Sequence, residues 1–117
     1  LAVADMEARF AKFGARFETR IAQQGAGYCV GDSLTFADIV LAEALSSYLE
    51  WCPDILAGTP LLEAMYCRVI QEPGIAAYLN SELRYPKPDA DYVIAAARVL
   101  KRALPNHMPD ANRFTAK

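Results

Sequence analysis

The run Gly31-Asp32-Ser33-Leu34-Thr35-Phe36-Ala37-Asp38-Ile39 decides how this chain folds. Thr35 and Asp38 are spaced as a helix N-cap and an acceptor at the third helical position, so each side chain can meet a first-turn amide that has no intrahelical partner. Aspartate stands where glutamate or glutamine is the usual third-position partner, and its charge suits the positive end of the helix dipole. Leu34 and Ile39 occupy the two positions of a hydrophobic staple, which fixes the angle at which the chain enters the helix. The spacing predicts a helix opening at Phe36 and assigns Asp38 a capping role rather than that of a charge tuning a reactive group.

The residues that follow lack a polar face. From Phe36 to Trp51 the charged side chains are Asp38, Glu43 and Glu50, while Ile39, Val40, Leu41, Leu45, Tyr48, Leu49 and several alanines occupy all sides. A helix apolar nearly all round either spans a membrane or forms the centre of a globular helical domain. This one is interrupted by charge and falls short of the roughly 18 to 20 residues that spanning requires. It reads as a buried central helix.

Upstream, Val3, Met6, Phe10, Phe13, Phe17 and Ile21 fall at steps of three and four, one stripe of an amphipathic helix over Leu1 to about Gln24. Arg9, Lys12, Arg16, Glu18 and Arg20 occupy its other sides. Gly14, costing about 1 kcal/mol relative to alanine, is expected to mark a close helix crossing, and Gly25-Ala26-Gly27 ends the helix. Tyr28-Cys29-Val30 is read as a short extended approach that packs Tyr28 and Val30 under the central helix. Downstream, Pro53 and Gly58 break the pattern, and Thr59-Pro60 suits an N-cap followed by proline in the first turn. Leu61, Leu62, Met65, Val69 and Ile70 define a third helix ending near Glu72, and Ile75, Tyr78 and Leu79 a fourth ending around Ser81 to Leu83. The prolines of Tyr85-Pro86-Lys87-Pro88 bar helix there. Asp89 or Asp91 caps a fifth helix whose apolar face runs through Val93, Ala96, Ala97, Leu100, Ala103 and Leu104, with Pro105 and Pro109 as stops.

With 117 residues, the chain supports one domain with a real core. Its hydrophobic fraction of 54% against 22% charged excludes disorder and fits a helical globule. A net charge of -2 disfavours nucleic acid and anionic membranes as partners. Cys29, Cys52 and Cys67 form no close pair, and their odd number points to a reducing, cytoplasmic setting. The opening at Leu1, directly in a helical pattern, is what a fragment or processed product would show.

Candidate chemistry within the chain is sparse. His107 lies between prolines in the tail and reads as a solvated loop residue. The cysteines show no metal-ligand spacing, and there is no nucleophile elbow, phosphate-binding glycine loop or redox cysteine pair. No catalytic residue, metal or cofactor is therefore assigned to this chain.

The Gly31–Ile39 motif resembles the segment that opens the central helix in the C-terminal domain of cytosolic glutathione transferases. Further similarities follow in that family's order: Cys52-Pro53-Asp54-Ile55-Leu56, Thr59-Pro60-Leu61-Leu62, and Pro73-Gly74-Ile75-Ala76-Ala77-Tyr78-Leu79. Ser81-Glu82-Leu83-Arg84-Tyr85-Pro86 looks like the ending of sigma-class members. The resemblance implies an all-α bundle around a buried central helix over 1–86, an additional helix over 87–104 packing on it, and an irregular tail over 105–117. In other transferase classes such an added helix acts as a lid; a strut or an oligomer contact are the alternatives.

The family's thioredoxin-like domain, which holds most of the glutathione site and the activating Tyr, Ser or Cys, is absent from this chain. The resemblance implies glutathione as co-substrate of the full-length protein, a small hydrophobic electrophile conjugated in a detoxifying transfer, a possible homodimer, and inactivity of this chain alone. It places Val40 and Ala44, on the first turns of the central helix, where they could face the substrate pocket, with packing against the core as the favoured alternative. Two alternatives use the same residues. One is a non-catalytic assembly module of the kind found in the elongation-factor gamma subunit and tRNA-synthetase complexes. The other is a helical domain that binds hydrophobic ligands without conjugating them.

Overall fold

Proline and glycine punctuation divides the chain into five α-helices among the residues described by the computed structural model, 3–84 and 89–101. They are α1 (Val3–Gln24), α2 (Phe36–Leu49), α3 (Pro60–Ile70), α4 (Pro73–Leu79) and α5 (Ala90–Val99). No strand occurs among the described residues.

In α1 the stripe at steps of three and four turns inward. Phe10 and Ile21 are buried, and Phe13 and Phe17 pack partly buried against the core. Phe10 and Phe13 meet edge to face at 5.3 Å, and both rings reach Tyr48 of α2, at 6.0 and 5.6 Å. Aromatic pairs at such separations add about 0.5–1.5 kcal/mol beyond their burial. Gly14 makes room for this cluster: a Cβ there would lie 2.7 Å from Phe10 Cε1, one turn back on the same helix.

The middle of the core belongs to α3, which packs against α1, α2 and α4. Leu62 and Met65 are fully buried, as is Leu45 across from them on α2. Truncating any of the three to alanine would cost about 2–5 kcal/mol. The two short helices end earlier than periodicity alone predicts. Pro73 drives Glu72 to an extended conformation (φ -57, ψ 130), so Glu72 becomes the N-cap of α4 and α3 stops at Ile70. α4 stops at Leu79, where Asn80 Nδ2 donates to the Ala76 carbonyl and Ser81 Oγ to that of Tyr78. α2 likewise ends at Leu49, two residues before Trp51, and the Cys52 amide closes the last turn on the Tyr48 carbonyl ahead of Pro53.

Residues to Arg84 form one unit, and α5 belongs to a second that begins at Tyr85. Of its two candidate caps, Asp89 is the one used, Oδ1 accepting from the Tyr92 amide at 2.8 Å. The helix ends at Val99 and the chain turns left-handed at Lys101 (φ 51), ahead of the prolines expected to stop it. Leu1, Tyr85 to Pro88, the continuation of the fifth apolar face to Ala103 and Leu104, Pro105, Pro109 and His107 lie outside the described residues.

Candidate functional site

Asp38 is the chemical centre of the first unit. Thr35 stands at the N-cap of α2 in an extended conformation (φ -124, ψ 168), with Asp38 at the third helical position of a capping box. The short bonds run to the carboxylate: Oδ2 accepts from the Thr35 amide at 2.8 Å and from the Thr35 hydroxyl at 2.9 Å. Oδ1 accepts from the amide of Cys29 at 2.8 Å. That third bond, from a residue nine positions upstream, has no signature in the spacing. It ties the 25–31 loop to the start of α2.

Asp38 is wholly buried. Burial alone would push its carboxyl up, but the Cys29 and Thr35 amides and the Thr35 hydroxyl outweigh it and hold the pKa below the ordinary range. Cys29 moves the other way. Burial first, then its hydrogen bond to Asp38 and the carboxylate's charge, raise the thiol from 9.0 to about 11, with Arg20 opposing. Such a thiol stays protonated at neutral pH, so Cys29 is no nucleophile.

Three further side chains clamp the same loop. Arg20 Nε donates to the Cys29 carbonyl at 3.2 Å, Gln24 Oε1 accepts from the Gly31 amide at 3.1 Å, and Arg68 Nη1 donates to the Gly27 carbonyl at 2.7 Å. The Arg68 guanidinium also covers the Tyr28 ring at 4.9 Å. Tyr28 and Val30 therefore do not pack under α2. In this stretch Cys29 turns inward, Tyr28 lies half-buried beneath Arg68, and Val30 is exposed.

The start of α3 is capped from outside its own segment. Thr59 holds the N-cap position, yet its hydroxyl donates to the Leu56 carbonyl at 3.2 Å rather than accepting from a first-turn amide. Glu18 of α1 takes that role, its two carboxylate oxygens accepting from the amides of Leu61 (3.0 Å) and Leu62 (2.8 Å).

The other singled-out residues lie on or beside α2. Leu34 packs partly buried against the core, whereas Ile39, its staple partner by position, is exposed. Phe36, Ile39 and Val40 fall on one side of the helix and are 79%, 39% and 49% exposed, with Ala44 half-buried at its edge. The opposite side, Asp38, Leu41, Ala42 and Leu45, is buried. α2 thus has a core face and an open face, on which the apolar Phe36, Ile39 and Val40 stand beside the exposed Glu43 and Ser47. Among the described residues no group of side chains has the arrangement to hold a metal ion, and all three cysteines are free. No helix among them is long and apolar enough to cross a membrane.

A capped α2 with one core face, set against a long α1 and a buried α3, is the architecture to which residues 3–82 also match by sequence, through the family model described as "Glutathione S-transferase, C-terminal domain". The chain belongs to that family. Among relatives of this glutathione S-transferase domain is the "Glutathione S-transferase" of Antechinus stuartii, 38% identical over 78 residues, covering 66% of this chain and 35% of the relative. "Glutathione S-transferase A4" of Mus musculus is 36% identical over 86 residues, covering 73% and 39%. "Glutathione S-transferase P 1" of Bufo bufo is 38% identical over 65 residues, covering 56% and 31%. The chain thus spans between 31% and 39% of the length of these three relatives. No solved structure matches it significantly.

These names carry A4 and P 1 designations rather than a sigma one, so the class read from the Ser81-to-Pro86 ending resolves no further than the family. The described part of that ending has a structural role. Ser81 Oγ accepts from the Leu83 amide at 3.2 Å, and Arg84 Nη2 lies 3.4 Å from Glu50 Oε1 at the end of α2.

Proposed function

We propose that this glutathione S-transferase helical domain supplies the apolar wall against which an electrophile is held while glutathione, bound elsewhere in the full-length protein, attacks it. The observation that carries the reading is the open face of α2. Phe36, Ile39 and Val40 leave apolar surface in water along one side of a helix whose other side is core, in a chain spanning about a third of its relatives' length. Exposed apolar surface of this kind marks a ligand or interaction surface. Val40 and Ala44 set the width of the pocket and offer no polar handle, so they orient the electrophile by shape. The thiolate is the attacking species, and the group that lowers the thiol pKa lies outside this chain. The chain alone is inactive, the full-length protein acts in the reducing cytoplasm, and its dimerisation draws on parts beyond this domain.

The test is Val40→Phe in the intact gene product, assayed for conjugation with a compact and a bulky aromatic electrophile. The bulky substrate should lose about tenfold or more in kcat/KM relative to the compact one, as a one-methylene difference in a pocket already gives about 10–200-fold discrimination. The KM for glutathione should stay unchanged. Equal effects on both electrophiles, or on the glutathione KM alone, would remove Val40 from the pocket.

A further inference from the structure

The open face of α2 bears a single charged side chain. Glu43 is exposed and stands three residues after Val40, four after Ile39 and seven after Phe36, so it falls on their side of the helix, its Cβ about 5–6 Å from that of Val40. No Lys, Arg or His occurs from Phe36 to Leu49, and among the described residues Glu43 forms no ion pair; the one at the end of the helix joins Glu50 to Arg84. The positive end of the helix dipole does not compensate it. That end is worth about half a charge, and the buried, ionised Asp38 already sets a full negative charge against it. Arg20, which reaches the loop ahead of α2, is held at the Cys29 carbonyl. The face is therefore apolar over its first turn and negative at its second.

We propose that Glu43 makes the electrophile pocket selective by charge, accepting uncharged aromatic electrophiles and disfavouring those that carry a carboxylate. The inference rests on the reading of the open face as the pocket wall. A carboxylate seated against Val40 would lie within the Debye length of Glu43, about 8 Å at physiological salt. Like charges about 6 Å apart in water already give about a threefold discrimination, and more where the wall excludes water. An uncharged ring covers Phe36 and Val40 without meeting that repulsion.

The test compares kcat/KM of the intact gene product for a chlorodinitrobenzene and for its carboxylate-bearing counterpart, a chlorodinitrobenzoate, each divided by its uncatalysed rate with glutathione. Both lose chloride to the attacking thiolate, so the pair differs in charge and not in reaction. The neutral substrate should be favoured about threefold or more, by a ratio that shrinks as salt is raised. Glu43→Gln should lower the ratio about threefold and Glu43→Lys should reverse the preference, with unfolding temperatures checked alongside. A ratio that Glu43→Gln leaves in place, while Val40→Phe still separates compact from bulky electrophiles, would overturn the role of Glu43 and keep the pocket. Conjugation of neither electrophile would overturn both.

Discussion

Replacing Asp38 by alanine removes one carboxylate and strands several donors at once. The Cys29 amide loses its 2.8 Å acceptor, and the Thr35 amide and hydroxyl lose theirs at 2.8 and 2.9 Å. A lost N-cap alone costs about 0.5–2 kcal/mol. Each buried donor left unsatisfied adds about 1–3 kcal/mol, and two of these donors are backbone amides that cannot rotate to find water. The charge itself argues in the opposite direction, since an isolated buried carboxylate is expensive. Its lowered pKa shows that the hydrogen bonds win that contest. With the cap and the two amides counted, the loss is about 2.5–8 kcal/mol, a large part of the 5–15 kcal/mol that holds a typical domain together. Thermal unfolding followed by far-ultraviolet circular dichroism at pH 7 should show a fall of at least about 10 °C, at the 4–8 °C per kcal/mol of a domain this size. Asp38→Asn, which keeps one acceptor oxygen and the shape, should fall about half as far. A shift below about 3 °C for the alanine variant would refute the account of Asp38 as the tie between loop and helix.

Other consequences follow from the same contacts. The folded state holds the Cys29 proton to about pH 11 against an ordinary 9.0, so the contribution of this thiol is constant below pH 9 and falls by about 1.4 kcal/mol per pH unit from there to 11; urea titrations across that range should show the loss, and Cys29→Ala should flatten it. Asp38, with its folded pKa depressed, contributes stability that is present above pH 4 and lost below it, an acid arm that Asp38→Asn should remove. Glu18→Ala should destabilise by about 1–3 kcal/mol in urea unfolding by uncapping Leu61 and Leu62, and Glu18→Gln, with one acceptor left, by less. Gly25 and Gly27 both have positive φ (73 and 81), but only Gly27 lies against Arg68, where a Cβ would come within 2.7 Å of the guanidinium. Gly25→Ala should therefore cost about 1 kcal/mol in conformation, and Gly27→Ala about 1–2 kcal/mol more as Arg68 leaves the Gly27 carbonyl and the Tyr28 ring.

What could be read from the sequence was whatever lies within a turn or two of itself. Thr35 and Asp38 are three residues apart, and the α1 stripe repeats at steps of three and four, so both follow from local geometry. Glu18 reaches Leu61 and Leu62 across more than forty residues, and Arg68 reaches Gly27 across a similar span. Neither has a spacing signature, because a helix cap supplied by another helix depends on how the two pack. The inward turn of Cys29 was missed for a different reason. An extended stretch alternates sides, and hydrophobicity alone favours Tyr28 and Val30 as the buried pair. The anchor at Asp38 Oδ1 fixes the opposite parity.

The open face of α2 mixes Phe36, Ile39 and Val40 with Glu43 and Ser47, so the helix has no wholly polar side. A helix surrounded by its own domain and one covered in part by a ligand or another domain carry the same apolar residues, so composition cannot separate core from pocket wall. Val40 and Ala44 are legible only as apolar positions on the first turns; the fold leaves Val40 exposed and Ala44 half-buried.

The central claim is that this domain acts as the pocket wall of a glutathione-conjugating enzyme. Its most direct test is the rate of glutathione conjugation to a generic aromatic electrophile by the intact gene product, with the 117-residue chain alongside. Turnover by the intact protein and none by the chain alone is the predicted result; an intact protein that neither binds glutathione nor conjugates it would contradict the claim.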